Sequence, residues 1–177
     1  MAIKQSQYPD SYTNNSVAAG KAFERFIEVE FHRRGWAYTP CETADDQVRY
    51  GDAHEGIEVK FDDKCSMTGK LRIEYEERTS LNRTWTPSGI YASSAATLYV
   101  QGNYHVAYVF RRADLCDYFE SEKPERPRFL HPDTRHSFYL SLRDAKALSI
   151  ATIVPQYPWG RSDAGVWTEL TDYGVRP

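Results

Sequence analysis

The sequence predicts a single α/β domain with a mixed sheet, and three observations carry that prediction. Apolar residues at helical spacing, including Phe23, Ile27 and Phe31, indicate a helix. Later segments alternate apolar and polar residues as strands do, residues 71–76 most clearly. The chain has 177 residues, of which 41% are hydrophobic and 27% charged, and these values fit one globular domain with a real core.

The elements follow in order along the chain. Residues 1–16 are expected to be a loose leader to the single domain at 17–177, whose core is about 17–112 and whose C-terminal elaboration is about 113–177. Residues 17–34 predict the first helix, which Gly35 ends. The later elements are a short strand at 36–40, a hairpin of 46–50 with 56–61, a strand at 71–76, a hairpin of 97–101 with 104–110, a helix at 113–119, a helix at 142–148 capped by Ser141, and a strand at 150–154.

Charge and composition exclude several classes of protein. The chain carries 22 Lys and Arg against 25 Asp and Glu, and a net charge of −3 excludes a histone-like coat for nucleic acid. No segment approaches the roughly 20 apolar residues of a membrane helix, so no membrane partner is expected. Three widely spaced cysteines without a CxxC pair predict reduced thiols and a cytoplasmic protein.

The segment Ile57-Glu58-Val59-Lys60-Phe61 carries the clearest chemistry. In a strand, the three apolar side chains point to one face, and Glu58 and Lys60 point to the other. A carboxylate oxygen suits Mg²⁺, and an ammonium two residues away can orient or help deprotonate water and stabilise charge on phosphorus. The pattern therefore suits hydrolysis of a phosphodiester.

A second carboxylate is expected beside Glu58. If the hairpin turn is centred near Asp52, then Asp46 faces Glu58 across the pair of strands. Asp45 takes that place if the register slips by one, and Asp52 is the alternative because it lies just before the strand. A third acid, Glu24, lies off the apolar stripe of the first helix.

This order of parts resembles the PD-(D/E)xK nuclease superfamily, and the opening helix is similar to the Holliday-junction resolvase branch. The matching residues are Gly20 through Arg25 with Glu24, then Gly35-Trp36, Asp45 or Asp46, and Glu58-Val59-Lys60. No proline precedes the candidate aspartate, which departs from the family pattern. The resemblance implies a restriction-endonuclease-like α-β-β-β-α-β core, dependence on Mg²⁺ with Mn²⁺ as a substitute, and DNA hydrolysis to a 5′-phosphate and a 3′-hydroxyl. Carried over, the catalytic and metal-binding residues are Glu24, Asp46 or Asp52, Glu58 and Lys60.

DNA is therefore the expected partner, with junction or branched DNA as the favoured substrate and a homodimer as a plausible assembly. Basic residues that follow the site are candidates for phosphate contacts: Lys64, Lys70, Arg72, Arg78 and Arg83. The alternative is a nuclease-fold module without catalysis that binds DNA or a protein.

Overall fold

The computed structural model describes residues 10–80, 83–122, 124, 134–155, 159–161 and 167–169. Its helices are α1 (Asp10–Arg33), α2 (Ala44–Tyr50), α3 (Cys65–Thr68), α4 (Arg112–Glu122) and α5 (Leu142–Leu148), with a 3-10 turn at Gly89–Tyr91. Its strands are β1 (Ile57–Phe61), β2 (Lys70–Glu77), β3 (Thr86–Pro87), β4 (Leu98–Gly102), β5 (Ala107–Arg111), β6 (Arg135–Ser141), β7 (Ala151–Ile153), β8 (Trp159–Arg161) and β9 (Trp167–Glu169).

The first sheet has the strand order β1-β4-β5-β7, with β1 at its edge. Strand β1 runs parallel to β4, whereas β4 with β5 and β5 with β7 are antiparallel, so the sheet is mixed as expected. One face of this sheet packs against α1. The core between them includes Phe23, Phe26 and Ile27 from the helix, and Val59 and Val109 from the sheet.

The second sheet, β3-β2-β6, is antiparallel and packs over the other face of the first sheet. Strand alternation explains this division. In β4, Val100 belongs to the core under α1, whereas Tyr99 belongs to the core that also holds Ile73 and Phe138 of the second sheet. Strand β1 therefore presents Ile57 and Val59 to α1, and it presents Glu58 and Lys60 toward the second sheet.

Local patterns predicted several elements well. Strand β1, the β4–β5 hairpin and α4 form where the sequence places them, and α5 spans the predicted residues 142–148. The hydroxyl of Ser141 accepts a hydrogen bond from the Asp144 N–H and so caps α5 as expected. The first helix begins earlier than predicted, at Asp10, so residues 10–16 of the expected leader are helical, and residues 1–9 lie outside the described part.

The predicted hairpin of residues 46–50 with 56–61 does not form, because residues 44–50 form the helix α2. Thr43 caps this helix: its hydroxyl accepts the Asp46 N–H at 3.1 Å and donates to the Asp46 carboxylate at 2.6 Å. The acidic first turn also suits a helix N-terminus. This capping interaction supplies local hydrogen bonds that a strand would forgo.

The expected strand pairings also need correction. The partner of β1 is β4, and the predicted strand at 71–76 belongs to the second sheet as β2. Residues 36–40 form only an isolated bridge, between Pro40 and Ala53. The aromatic segment 97–110 belongs largely to the core, since Tyr99, Tyr104 and Phe110 are buried.

The three cysteines carry free thiols, and Cys41 and Cys65 are buried. Among the described residues, no helix combines the length and the apolar character needed to cross a membrane.

Candidate active site

Strand β1 positions the predicted Glu-x-Lys pair. Ile57 and Val59 are 1% and 5% exposed, which anchors the strand against the core under α1. On the opposite face, the Lys60 ammonium forms an ion pair with the Glu58 carboxylate. The two charged groups that the sequence placed on one face therefore do lie together, on a rigid element.

The backbone before β1 brings Asp52 to the same place. Gly51 ends α2 with φ +90°, and a Cβ there would lie 2.7 Å from the Ile57 carbonyl oxygen. Only glycine fits this conformation and this close approach without strain. The Asp52 N–H then donates to the Ile57 carbonyl at 2.7 Å, and the Asp52 carboxylate accepts the Val59 N–H at 2.7 Å.

Asp52 and Glu58 repel each other electrostatically. Burial, and after it the neighbouring Glu58 carboxylate, raise the pKa of Asp52 to about 6, against the opposing effects of the Val59 N–H and of Lys60. Two carboxylates side by side in a partly buried cleft form a donor set that suits a hard divalent cation.

Lys60 is an ammonium in this arrangement. Burial lowers the pKa of Lys60, but the charge of Glu58 and its hydrogen bond to Lys60 raise it more, and the net pKa lies above its ordinary value. The group therefore donates hydrogen bonds and supplies positive charge, and does not accept a proton from water in this state.

These residues line a cleft of about 520 Å³, here called the acidic cleft, between β1, α2 and the second sheet. Its carboxylates are Asp52, Glu58, Glu74 and Glu77, against the cations Lys60 and Arg135, so the lining is net negative. The Glu74 carboxylate accepts a hydrogen bond from the Ser88 hydroxyl at 2.6 Å and lies 3.6 Å from the Arg135 guanidinium.

A second cleft of about 630 Å³, here called the basic cleft, adjoins the first and shares Lys60, Glu74 and Arg135 with it. Its other cations are Lys64, Lys70 and Arg72, and its other carboxylates are Asp62 and Asp63. Five cations against three carboxylates make this lining net positive. A groove that is negative at one end and positive at the other suits a metal ion beside a polyanion.

Glu24 and Asp46 lie differently from the expectation. Glu24 pairs with Lys21 on α1 at 2.7 Å, and its charge reaches Asp52, but it is not among the residues that line the acidic cleft. Asp46 is engaged by Thr43 in the α2 cap, and it does not line that cleft either. The structure thus brings Asp52, Glu58 and Lys60 together, with Glu24 at the periphery.

The five candidate DNA contacts divide into two groups. Lys64, Lys70 and Arg72 line the basic cleft, and the Lys70 ammonium lies 5.0 Å from the centre of the Tyr139 ring. Arg78 lies toward the opposite end of β2, with its guanidinium 4.4 Å from the centre of the Trp85 ring. Arg83 is exposed and lines neither cleft.

Within the described ranges, no three His, Cys, Asp or Glu side chains form a group that could hold a metal ion by themselves. Mg²⁺ does not require such a cage, because it is usually bound by one or two carboxylates together with water and substrate phosphate. Asp52 and Glu58 fit that mode. Binding there would require Glu58 to exchange its contact with Lys60 for the metal.

Several residues of the site were not among the predicted catalytic and metal-binding residues. The hydroxyl of Tyr38 is buried, and burial, followed by the charges of Asp52 and Glu24, raises its pKa above the ordinary range. Glu74 and Arg135 meet Lys60 only because β2 and β6 pair in the second sheet and pack over β1. Nothing in the local pattern of these segments indicates that convergence.

Comparison of the chain with protein-family models, with curated proteins and with solved structures finds no match. The residues of the two clefts are therefore the basis for a functional conclusion.

Proposed function

We propose that this protein is a Mg²⁺-dependent DNA endonuclease that hydrolyses phosphodiester bonds at the acidic cleft. The observation that carries the proposal is the meeting of Asp52, Glu58 and Lys60 beside a cleft lined by further cations. It agrees with the resemblance to PD-(D/E)xK nucleases, with a restriction-endonuclease-like core as the accompanying fold proposal. Asp52 replaces Asp46 as the proposed partner of Glu58.

Each side chain has a defined role in this proposal. Asp52 and Glu58 would hold Mg²⁺, with Mn²⁺ as a substitute, and Glu24 adds negative charge at the periphery. When bound, Mg²⁺ would supply Lewis-acid polarisation of the phosphate and lower the pKa of a water. With Glu58 on the metal, the Lys60 ammonium would donate to a phosphate oxygen and stabilise the charge that builds up on phosphorus. Attack of water would form a new P–O bond and break the bond from phosphorus to O3′. The oxygen O3′ would leave as the 3′-hydroxyl, and the phosphate would stay on the 5′ side of the cut.

Nicking of supercoiled plasmid DNA in Mg²⁺ tests the proposal. The wild type should cleave in Mg²⁺ and not in EDTA, whereas Glu58→Gln and Lys60→Met should each reduce the rate by roughly a hundredfold or more, as loss of a group that stabilises the transition state does. Matched controls are Glu122→Gln at the end of α4 and Lys146→Met on α5, both exposed and outside the two clefts. Equal cleavage by Glu58→Gln, Lys60→Met and the wild type would refute the assignment.

Thermal melting separates the enzyme from the alternative, a module that binds DNA or a protein without catalysis. If the carboxylates bind Mg²⁺, millimolar metal should raise the melting temperature, and Glu58→Ala should abolish the increase. The absence of any shift in the wild type would favour the binding module. A panel of junction, flap, duplex and single-stranded DNA then defines the substrate, for which we propose branched DNA, and sedimentation tests the proposed homodimer.

A further inference from the structure

The basic cleft contains two buried polar groups that the proposed cleavage chemistry does not use. They are the Tyr99 hydroxyl and the Gln101 side-chain carbonyl, on neighbouring positions of the same face of β4. In the parallel register, Tyr99 pairs with Glu58 and Gln101 pairs with Lys60. The two groups thus lie directly beside the proposed catalytic pair, on the adjacent strand.

The Tyr99 hydroxyl is unusual for a core residue. The side chain is 0% exposed, yet among the described residues its hydroxyl has no hydrogen-bond partner. A buried hydroxyl without a partner costs stability, so its presence beside a cleft calls for a ligand.

The orientation of the Gln101 amide is determined by its neighbours. The amide nitrogen donates to the Arg72 carbonyl at 2.8 Å and lies 3.5 Å from the Asp62 carboxylate. Both neighbours are acceptors, so the nitrogen must face them and the oxygen must face away. That oxygen is buried and has no hydrogen-bond partner within the described ranges, and it requires a donor.

We propose that the basic cleft binds one unpaired nucleotide of the DNA, with the base edge on Tyr99 and Gln101 and its phosphates among the surrounding cations. Every nucleobase carries a donor next to an acceptor on its edge, which complements a carbonyl acceptor and a hydroxyl donor. The cleft of about 630 Å³ lies within the range of small-molecule sites and could hold one nucleotide. The role of this site in cleavage rests on the proposed function. A nucleotide bound here would place its adjoining phosphodiester at Lys60.

The cations of the cleft suit the phosphates of such a nucleotide. Lys64, Lys70 and Arg72 line the basic cleft, and Arg135 lines both the basic and the acidic cleft. A paired base must be extruded before it can enter, at a cost of a few stacking and pairing interactions, so unpaired bases are favoured. The site would thus select DNA with an unpaired or easily opened nucleotide.

Titration with deoxyadenosine 5′-monophosphate in EDTA, followed by NMR or calorimetry, tests the site without metal or cleavage. Deoxyribose 5-phosphate, which lacks the base, is the matched ligand. The nucleotide should bind the wild type roughly tenfold more tightly than the sugar phosphate, and Tyr99→Phe and Gln101→Leu should each remove most of that difference. Tyr108→Phe, on the neighbouring strand and outside both clefts, should leave it unchanged.

A stability measurement guards against misfolding of the variants. Because the Tyr99 hydroxyl has no hydrogen-bond partner among the described residues, Tyr99→Phe should melt at the same temperature as the wild type or higher while it binds the nucleotide more weakly. Equal affinity for nucleotide and sugar phosphate, or equal nucleotide affinity in Tyr99→Phe, Gln101→Leu and the wild type, would overturn the proposal. The binding test contains no metal, so its result does not depend on cleavage. If the protein binds the nucleotide as expected but never cleaves DNA, the proposed nuclease activity is refuted and the nucleotide site stands.

A second experiment identifies the source of the nucleotide. In Ca²⁺, a DNA hairpin with one unpaired base should bind more tightly than a fully paired hairpin, and Tyr99→Phe should weaken that preference. Tight binding of a fully paired hairpin with a rise in 2-aminopurine fluorescence also supports the site, with an extruded base as its occupant. Equal binding of both hairpins without such a rise would contradict it.

Discussion

Asp52 is the central residue of the site, and its surroundings disfavour the ionised form of its carboxylate. Burial and the Glu58 carboxylate raise its pKa to about 6, so the ionised form at neutral pH destabilises the metal-free fold. Such a residue persists where a function requires it. The same logic applies to Tyr99, whose buried hydroxyl stabilises nothing in the described part of the chain.

Replacement of Asp52 by Asn should therefore stabilise the metal-free protein, by up to about 2 kcal/mol at pH 8. The amide keeps an oxygen for the Val59 N–H and removes the buried charge. Because the folded pKa lies above the ordinary value of 3.8, the folded state binds more protons between pH 4 and 6, so wild-type stability falls as pH rises through that window. The gain should be small at pH 4 and reach its full size above pH 6.

Urea unfolding at pH 4, 6 and 8 measures this effect, with Asp117→Asn on the exposed face of α4 as the control. The same variant should lose metal-dependent cleavage. A destabilised Asp52→Asn protein at pH 8 would contradict the assigned electrostatics.

At the scale of the element, the two ends of α2 have separate tasks. Its first turn is capped by Thr43 and Asp46, and its end at Gly51 turns the chain so that Asp52 meets β1. The cap stabilises the helix, and the turn at Gly51 positions Asp52 in the site.

Asp46→Ala should cost about 0.5–1 kcal/mol of stability, since it removes an acidic partner from the cap and from the helix N-terminus. It should leave the rate of plasmid nicking unchanged, in contrast to Asp52→Ala. Chemical denaturation measures the stability of the two variants, and a nicking assay measures their cleavage rates. A loss of cleavage in Asp46→Ala comparable to that in Asp52→Ala would restore Asp46 as a metal ligand.

Gly51→Ala should impair cleavage strongly. The added Cβ would lie 2.7 Å from the Ile57 carbonyl oxygen at a positive φ, so the backbone that holds Asp52 must move. Gly20→Ala in α1 is the matched control, because a Cβ there meets nothing within 4 Å and alanine favours the helix. The control should be slightly more stable and equally active. Full activity in Gly51→Ala would show that the position of Asp52 is not critical.

At the scale of the molecule, charge is separated between two adjoining clefts. The chain has a formal charge of −3, yet its acidic groups include the proposed metal ligands, and five of its cations line the basic cleft. Two bound Mg²⁺ ions would change the formal charge to about +1. We therefore expect the acidic cleft to repel DNA until a bound metal neutralises it.

DNA affinity should therefore depend on divalent metal. A short duplex should bind at least several-fold more tightly in Ca²⁺, which supports binding without cleavage, than in EDTA at equal ionic strength. In Glu58→Gln the difference between the two conditions should shrink. Fluorescence anisotropy measures both, and equal affinity of the wild type in Ca²⁺ and EDTA would contradict this account.

Elements with local signals were predictable, and elements that depend on long-range pairing were not. The apolar stripe of α1, the alternation of β1 and the Ser141 cap of α5 are local, and each forms as expected. The helix α2 was missed, although its cap at Thr43 was readable in the sequence. The register argument that favoured Asp46 failed with it, because a helix has no opposite strand.

The sequence alone determined the class of fold, the identity of β1 and the shared face of Glu58 and Lys60, because strand alternation is a property of neighbouring residues. Only the tertiary structure decided that Asp52 joins them, that β4 lies beside β1, and that Glu74, Arg135 and Tyr99 converge on the same place. Those contacts join segments distant along the chain, so packing between the two sheets had to bring them together.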